Sequence, residues 1–115
     1  MSAPSPEEVV QGQVDAYNAK DVDRFLSFYS PDLVITELST GRVIASGRDE
    51  LRLLYTHVVS RTDDLRCQIV KRMALGKFVV DEERVFGLPA GTPVRALAIY
   101  EVADGLIVRV WMTRE

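Results

Sequence analysis

At 115 residues the chain has room for one domain with a modest core and too little for two. Hydrophobic residues make up 47% and charged residues 27%, a balance that excludes a disordered or collagen-like chain. A net charge of -3, with the basic residues scattered, excludes the concentrated cationic surface that nucleic-acid partners require.

Residues 1–6, with prolines at 4 and 6, read as a flexible N-terminal arm, and residues 7–115 as one domain. Pro6-Glu-Glu supplies a first helical turn, and Val9, Val10, Val14 and Tyr17 recur at helical spacing up to about Asn18. Asp21 caps a second, shorter helix carrying Val22, Phe25, Leu26, Phe28 and Tyr29, with Pro31 expected to stop it. Leu33 to Leu38 and Arg42 to Ser46 are two short β-favouring runs split by Ser39-Thr-Gly41. Gly47 introduces a third helix whose apolar face is Leu51, Leu54, Tyr55 and Val58, ending near Arg61.

From Leu65 the pattern turns to β: Leu65 to Leu75, Phe78 to Phe86, Val94 to Val102 and Leu106 to Thr113, joined by glycine-containing turns. The order is ααββα followed by a long antiparallel meander. The last two strands are apolar on both faces. Val94, Ala96, Ala98 and Tyr100 share one face with Leu97 and Ile99 opposite, and Val108, Val110 and Met112 share one with Ile107 and Trp111 opposite. Both faces therefore need cover, the helices on one side and a second copy of the sheet on the other. Leu97, Ile99, Ile107 and Trp111 are the expected homodimer surface.

The single cysteine, Cys67, excludes an internal disulfide and a cysteine-based zinc cluster. The N-terminus has no basic and apolar leader pattern, and no run reaches the roughly 18 apolar residues of a membrane span. The expected compartment is the cytoplasm, with no membrane and no nucleic acid as partner.

Tyr17-Asn-Ala-Lys-Asp21 joining two helices, Tyr29-Ser-Pro-Asp32 leading into a strand, Ser46-Gly-Arg-Asp49 opening a third helix and the closing run Ile99 to Trp111 resemble the nuclear transport factor 2-like superfamily. The resemblance covers essentially the whole chain and is greatest to SnoaL-like and steroid delta-isomerase-like members. It implies an α+β fold: a cone-shaped curved sheet of about six strands packed on three helices, the cystatin-like or ketosteroid isomerase-like roll. It also implies a deep apolar pocket for a small hydrophobic molecule and a dimer through the outer sheet face; the proton-transfer chemistry expected of such a pocket needs no cofactor and no metal.

In the ketosteroid isomerases of this superfamily a carboxylate near the end of the first strand moves a proton. A first-helix tyrosine and a protonated aspartic acid hold the enolate oxygen. Matching the helix joint and strand onset places Glu37 at the carboxylate position, Gln13 where the tyrosine stands and Ala98 where the aspartic acid stands. Both familiar oxyanion donors are therefore absent, and such donors contribute roughly 3 to 4 kcal/mol each. Tyr55 matches a helix-three tyrosine and is expected to point a phenol inward. Glu37 and Tyr55 are the expected catalytic pair; Tyr17, Gln13, Tyr100, Val110 and Met112 are the expected substrate-binding residues.

Glu37 shares a face with Leu33 and Ile35, so it either follows them into an apolar cavity or reaches water or an arginine such as Arg42 or Arg114. Asp81-Glu82-Glu83 sends Glu82 to one face and Asp81 with Glu83 to the other. This gives either a second pocket acid or an exposed edge paired with Lys71 and Arg72. His57, off the apolar face of its helix, reads as a solvated residue. Two functions follow. One is a cofactor-independent isomerase, cyclase or lyase moving a proton on a hydrophobic carbonyl substrate. The other is a non-catalytic module that binds an apolar ligand or only dimerises.

Overall fold

The structure is a computed structural model that describes residues 3–62, 64–89, 91 and 93–115. Helix α1 (Pro6–Ala19) begins at a capping box. The Ser5 hydroxyl accepts the Glu8 amide at 3.2 Å, and the Glu8 carboxylate accepts the Ser5 amide at 2.9 Å. Lys20, in a left-handed conformation, ends it, and Asp21 caps α2 (Val22–Ser27) by accepting the Arg24 amide at 3.2 Å. Strand β1 (Tyr29–Glu37) and β2 (Val43–Ser46) lead to α3 (Arg48–Ser60). Gly47 turns the chain between them with a φ of 88°, a conformation glycine adopts without strain, and its amide donates to the Leu33 carbonyl at 2.7 Å. The meander follows as β3 (Arg66–Leu75), β4 (Phe78–Phe86), β5 (Val94–Ala103) and β6 (Leu106–Arg114).

The six strands described form one sheet in the order β2-β1-β6-β5-β4-β3. β1 runs parallel to β6 and every other neighbouring pair is antiparallel. Register shifts interrupt four of the five ladders, and such irregularities bend the sheet around the helices. The fold is α+β, a curved open sheet on three helices. Val9, Val10, Leu33, Leu65, Val79 and Ile107 are its largest fully buried aliphatic side chains.

Two expectations are corrected. Pro31 does not end α2, which closes at Ser27; it lies inside β1, where the ladder to β6 is interrupted between Tyr29 and Val34. A strand tolerates proline where no ladder hydrogen bond is required. Ile107 does not belong to the outer face. Val102 pairs with Ile107 and Glu101 with Arg109, so Val108 is an extra residue in β6, and across that bulge the side-chain alternation is reset. Ile107 consequently turns into the core, at 0% exposure, while Leu97, Ile99 and Trp111 stay half-buried on the convex side.

Leu33→Ala should leave a cavity among packed residues and cost about 3 kcal/mol in urea unfolding, within the range for buried leucines. Leu53→Ala, at a position 70% exposed, should change stability by less than about 0.5 kcal/mol.

Candidate active site

On the concave face of the sheet the β5 positions opposite the helices carry Ala96 and Ala98, side chains too small to fill the space beneath α1 and α3. A cavity of about 410 Å³ results. Aliphatic residues such as Ile35, Leu51, Val85 and Val110 form much of its wall. Tyr17, Phe25, Tyr29 and Tyr55 form an aromatic wall, with ring centroids 4.6 Å apart for Phe25 and Tyr55, 5.0 Å for Tyr17 and Tyr55, and 5.1 Å for Phe25 and Tyr29.

Its polar groups form one directed chain. The Tyr29 hydroxyl donates to Gln13 Oε1 at 2.9 Å, Gln13 Nε2 donates to the Tyr100 hydroxyl at 3.2 Å, and that hydroxyl donates to Glu83 Oε2 at 3.2 Å. All four residues are buried, so the chain is screened little by water. The second Nε2 proton of Gln13 has no partner among the described residues. Burial holds the Tyr29 and Tyr100 phenols well above the usual tyrosine range, and the negative charge of Glu83 adds to this, so both stay protonated donors.

Glu83, 6% exposed, ends the chain. Burial, and after it the Asp81 carboxylate, push its carboxyl from 4.5 up to about 7; the Tyr100 hydroxyl, the Cys67 thiol and Arg72 pull the other way. The Cys67 thiol beside it is pushed far above the ordinary thiol range by burial and then by Glu83, so it stays a neutral thiol. Asp81, two residues earlier on the same face and 0% exposed, is held differently. Arg72, opposite it on β3, grips both carboxylate oxygens at 2.7 and 2.9 Å and extends its third nitrogen to Gln11 on α1 at 2.8 Å. Two strand acids on one face are thus one half of an ion pair and a carboxyl whose proton affinity is raised to near neutrality.

All seven residues singled out from the sequence, Glu37, Tyr55, Tyr17, Gln13, Tyr100, Val110 and Met112, line this cavity, but their polar atoms are not equivalent. The Tyr55 hydroxyl donates to the Tyr17 carbonyl at 2.6 Å, which fastens α3 to the end of α1 and removes Tyr55 as a donor to a bound molecule. Glu37 sits at the mouth, half-buried. Its carboxylate accepts from the Ser39 amide at 3.4 Å and hydroxyl at 3.3 Å, and it forms no salt bridge among the described residues. Its flanking neighbours on the rim are Arg42 and Arg114. Glu83 is the deep acid. The signal for it in the sequence is the run Asp81-Glu82-Glu83 inside a strand, where alternation groups Asp81 with Glu83. His57 is exposed on α3. Among the described residues no three His, Cys, Asp or Glu side chains converge as a metal-binding group, and no helix is long and apolar enough to cross a membrane.

Between about pH 4.5 and 7 the folded protein keeps a proton on Glu83 that the unfolded chain releases, so this group makes stability fall as pH rises through that window. Glu83→Gln should abolish that slope and raise stability above pH 7, by up to about 3 kcal/mol in urea melts; equal slopes in the two proteins would contradict the burial argument. Arg72→Met, which leaves the Asp81 charge unpaired, should cost about 3 to 5 kcal/mol, and adding Asp81→Leu should recover most of it.

Among curated proteins none matches the chain in sequence. Solved structures share its fold. A cystatin-fold protein of uncharacterised role from Novosphingobium aromaticivorans is 24% identical over 97% of this chain and 100% of its own, with a TM-score of 0.87. IdmH, a candidate polyketide cyclase from Streptomyces antibioticus, is 19% identical over 97% and 93%, with a TM-score of 0.83. A candidate ketosteroid isomerase from Kribbella flavida is 16% identical over 96% and 77%, with a TM-score of 0.81. The sequence profile of the SnoaL-like domain matches residues 10–110, nearly the full length, and the chain belongs to the SnoaL-like domain family.

Proposed function

We propose that the protein is a cofactor-independent isomerase or cyclase that moves a proton on a hydrophobic carbonyl compound, with Glu83 as the proton-transfer group. The observation that carries this reading is a buried carboxyl at the cavity floor whose proton affinity lies near neutrality, at about 7. In its ionised form Glu83 takes a proton from the carbon next to the substrate carbonyl. The C–H electron pair forms the enolate double bond, and the carbonyl π pair moves to oxygen. The Glu83 carboxylic acid then returns the proton to a conjugated carbon, which is isomerisation. Alternatively the enolate carbon attacks a second carbonyl of the same molecule, closing a ring, and the proton goes to the new alkoxide. The free Nε2 proton of Gln13 is the donor for the developing oxyanion, in the position that the family resemblance gives to a tyrosine. Glu37, at the solvent-facing mouth, is replaced as base by Glu83.

A binding role without turnover is favoured by a separate observation. The phenol protons of Tyr29, Tyr55 and Tyr100 all have acceptors inside the protein, which leaves few donors for an oxyanion. We also propose a homodimer through Leu97, Ile99 and Trp111, whose half-buried apolar surface on the convex face needs cover.

Deuterium exchange at the α-carbon of a β,γ-unsaturated ketone tests the catalytic reading. Wild-type exchange should rise with pH through about 7, following ionisation of Glu83. Glu83→Gln should lower it by about a hundredfold or more, the usual contribution of a positioned acid-base group, and Glu37→Gln should change it little. Absence of exchange in the wild type, or its survival in Glu83→Gln, sinks the enzyme reading and leaves the binding one. Trp111→Glu should dissociate the assembly in sedimentation; an unchanged sedimentation coefficient would remove the dimer.

A further inference from the structure

We infer that the molecule held in the cavity is an amphipathic acid, its apolar body in the cone and its carboxylate at the mouth between Arg42 and Arg114. This inference rests on the reading of the cavity as a substrate site. The pairing of the strands puts the three rim charges side by side. The Glu37 amide donates to the Arg42 carbonyl at 2.8 Å on one side, and Glu37 pairs with Met112, two residues before Arg114, on the other. Both arginines line the cavity, and neither has a carboxylate partner among the described residues. The one rim acid is turned onto Ser39. The mouth therefore carries two guanidinium groups against one carboxylate.

Most of the wall between the mouth and the floor suits an apolar body. Ile35, Leu51, Val58, Leu88 and Val94 offer no hydrogen bond, and the Tyr55 hydroxyl is already engaged. The floor, 0% exposed Asp81 being neutralised by Arg72, presents the Glu83 carboxyl and one free Gln13 proton, which suit a carbonyl oxygen and not an anion. Charge complementarity thus orients the ligand with the anion out and the carbonyl in. Guanidinium groups favour carboxylates because their planar donors match two oxygens at once.

The probes are anthraquinone-2-carboxylate and its methyl ester, which share an apolar carbonyl-bearing body and differ in one charge. The acid should bind about tenfold more tightly than the ester at low salt, the gain two partly exposed ion pairs supply, and the preference should shrink as salt rises. In the Arg42→Ala, Arg114→Ala double variant the acid should fall to the affinity of the ester, whose own binding should stay as in the wild type. Equal affinities in the wild type, a preference that survives in the double variant, or failure of the wild type to bind either probe each overturn the inference. Glu83→Gln should retain the acid preference whatever it does to proton exchange, so loss of the catalytic reading and loss of this one are read separately.

Discussion

Asp81 and Glu83 stand two residues apart on one face of β4, both almost without solvent, and the interior has to accommodate two negative charges in a space that tolerates neither. Asp81 is paired, because Arg72 meets it on both oxygens. That guanidinium is consumed there, so Glu83 receives little of its benefit and feels the Asp81 charge as repulsion. The outcome is a carboxyl that holds its proton far longer than an exposed glutamic acid. The remainder of the site follows from it: Tyr100 turns its hydroxyl to Glu83, Gln13 then donates to Tyr100, and Tyr29 donates to Gln13.

The scaffold makes this arrangement tolerable. Arg72 reaches Gln11 on α1, so the ion pair also ties helix to sheet, and Asn18 fixes the far end of the same helix to Cys67 through both its amide groups, at 2.7 and 2.9 Å. Tyr55 fastens α3 to α1 by its hydroxyl. These polar ties surround a cavity that the alanines of β5 leave open, so the fold retains a hollow without collapsing onto it. A cone with a desolvated acid at its floor and cations at its rim has a direction. That direction is the basis on which proton transfer and ligand orientation are proposed together.

Much of this was legible in the sequence because it is local. The helix and strand order and the concave positions of Tyr100, Val110 and Met112 follow from periodicities of 3.6 and 2, and the Asp21 cap and the glycine turns from residue type. Tyr17 and Tyr55 reach the cavity as their helix faces imply, and Gln13 does so where the family resemblance put it. Ile107 was misread because period-two counting assumes an uninterrupted ladder, and a bulge at Val108 leaves no mark in residue type. Tyr55 was misread as a free donor because a hydroxyl's acceptor, here a carbonyl 38 residues away, lies outside any local pattern.

The sequence by itself determined the order of helices and strands, through its family resemblance the α+β roll they form, and that an acid would stand at the end of β1 and a cluster of acids in β4. Which acid is desolvated was decided only by the tertiary structure. Desolvation depends on the helices packed over a strand and on the partners across it, both set by contacts distant along the chain. Glu37 emerges at an open rim beside Ser39, whereas Glu83 lies under α1 beside an occupied ion pair. The same side chain is a half-buried rim group in one place and a desolvated carboxyl with raised proton affinity in the other.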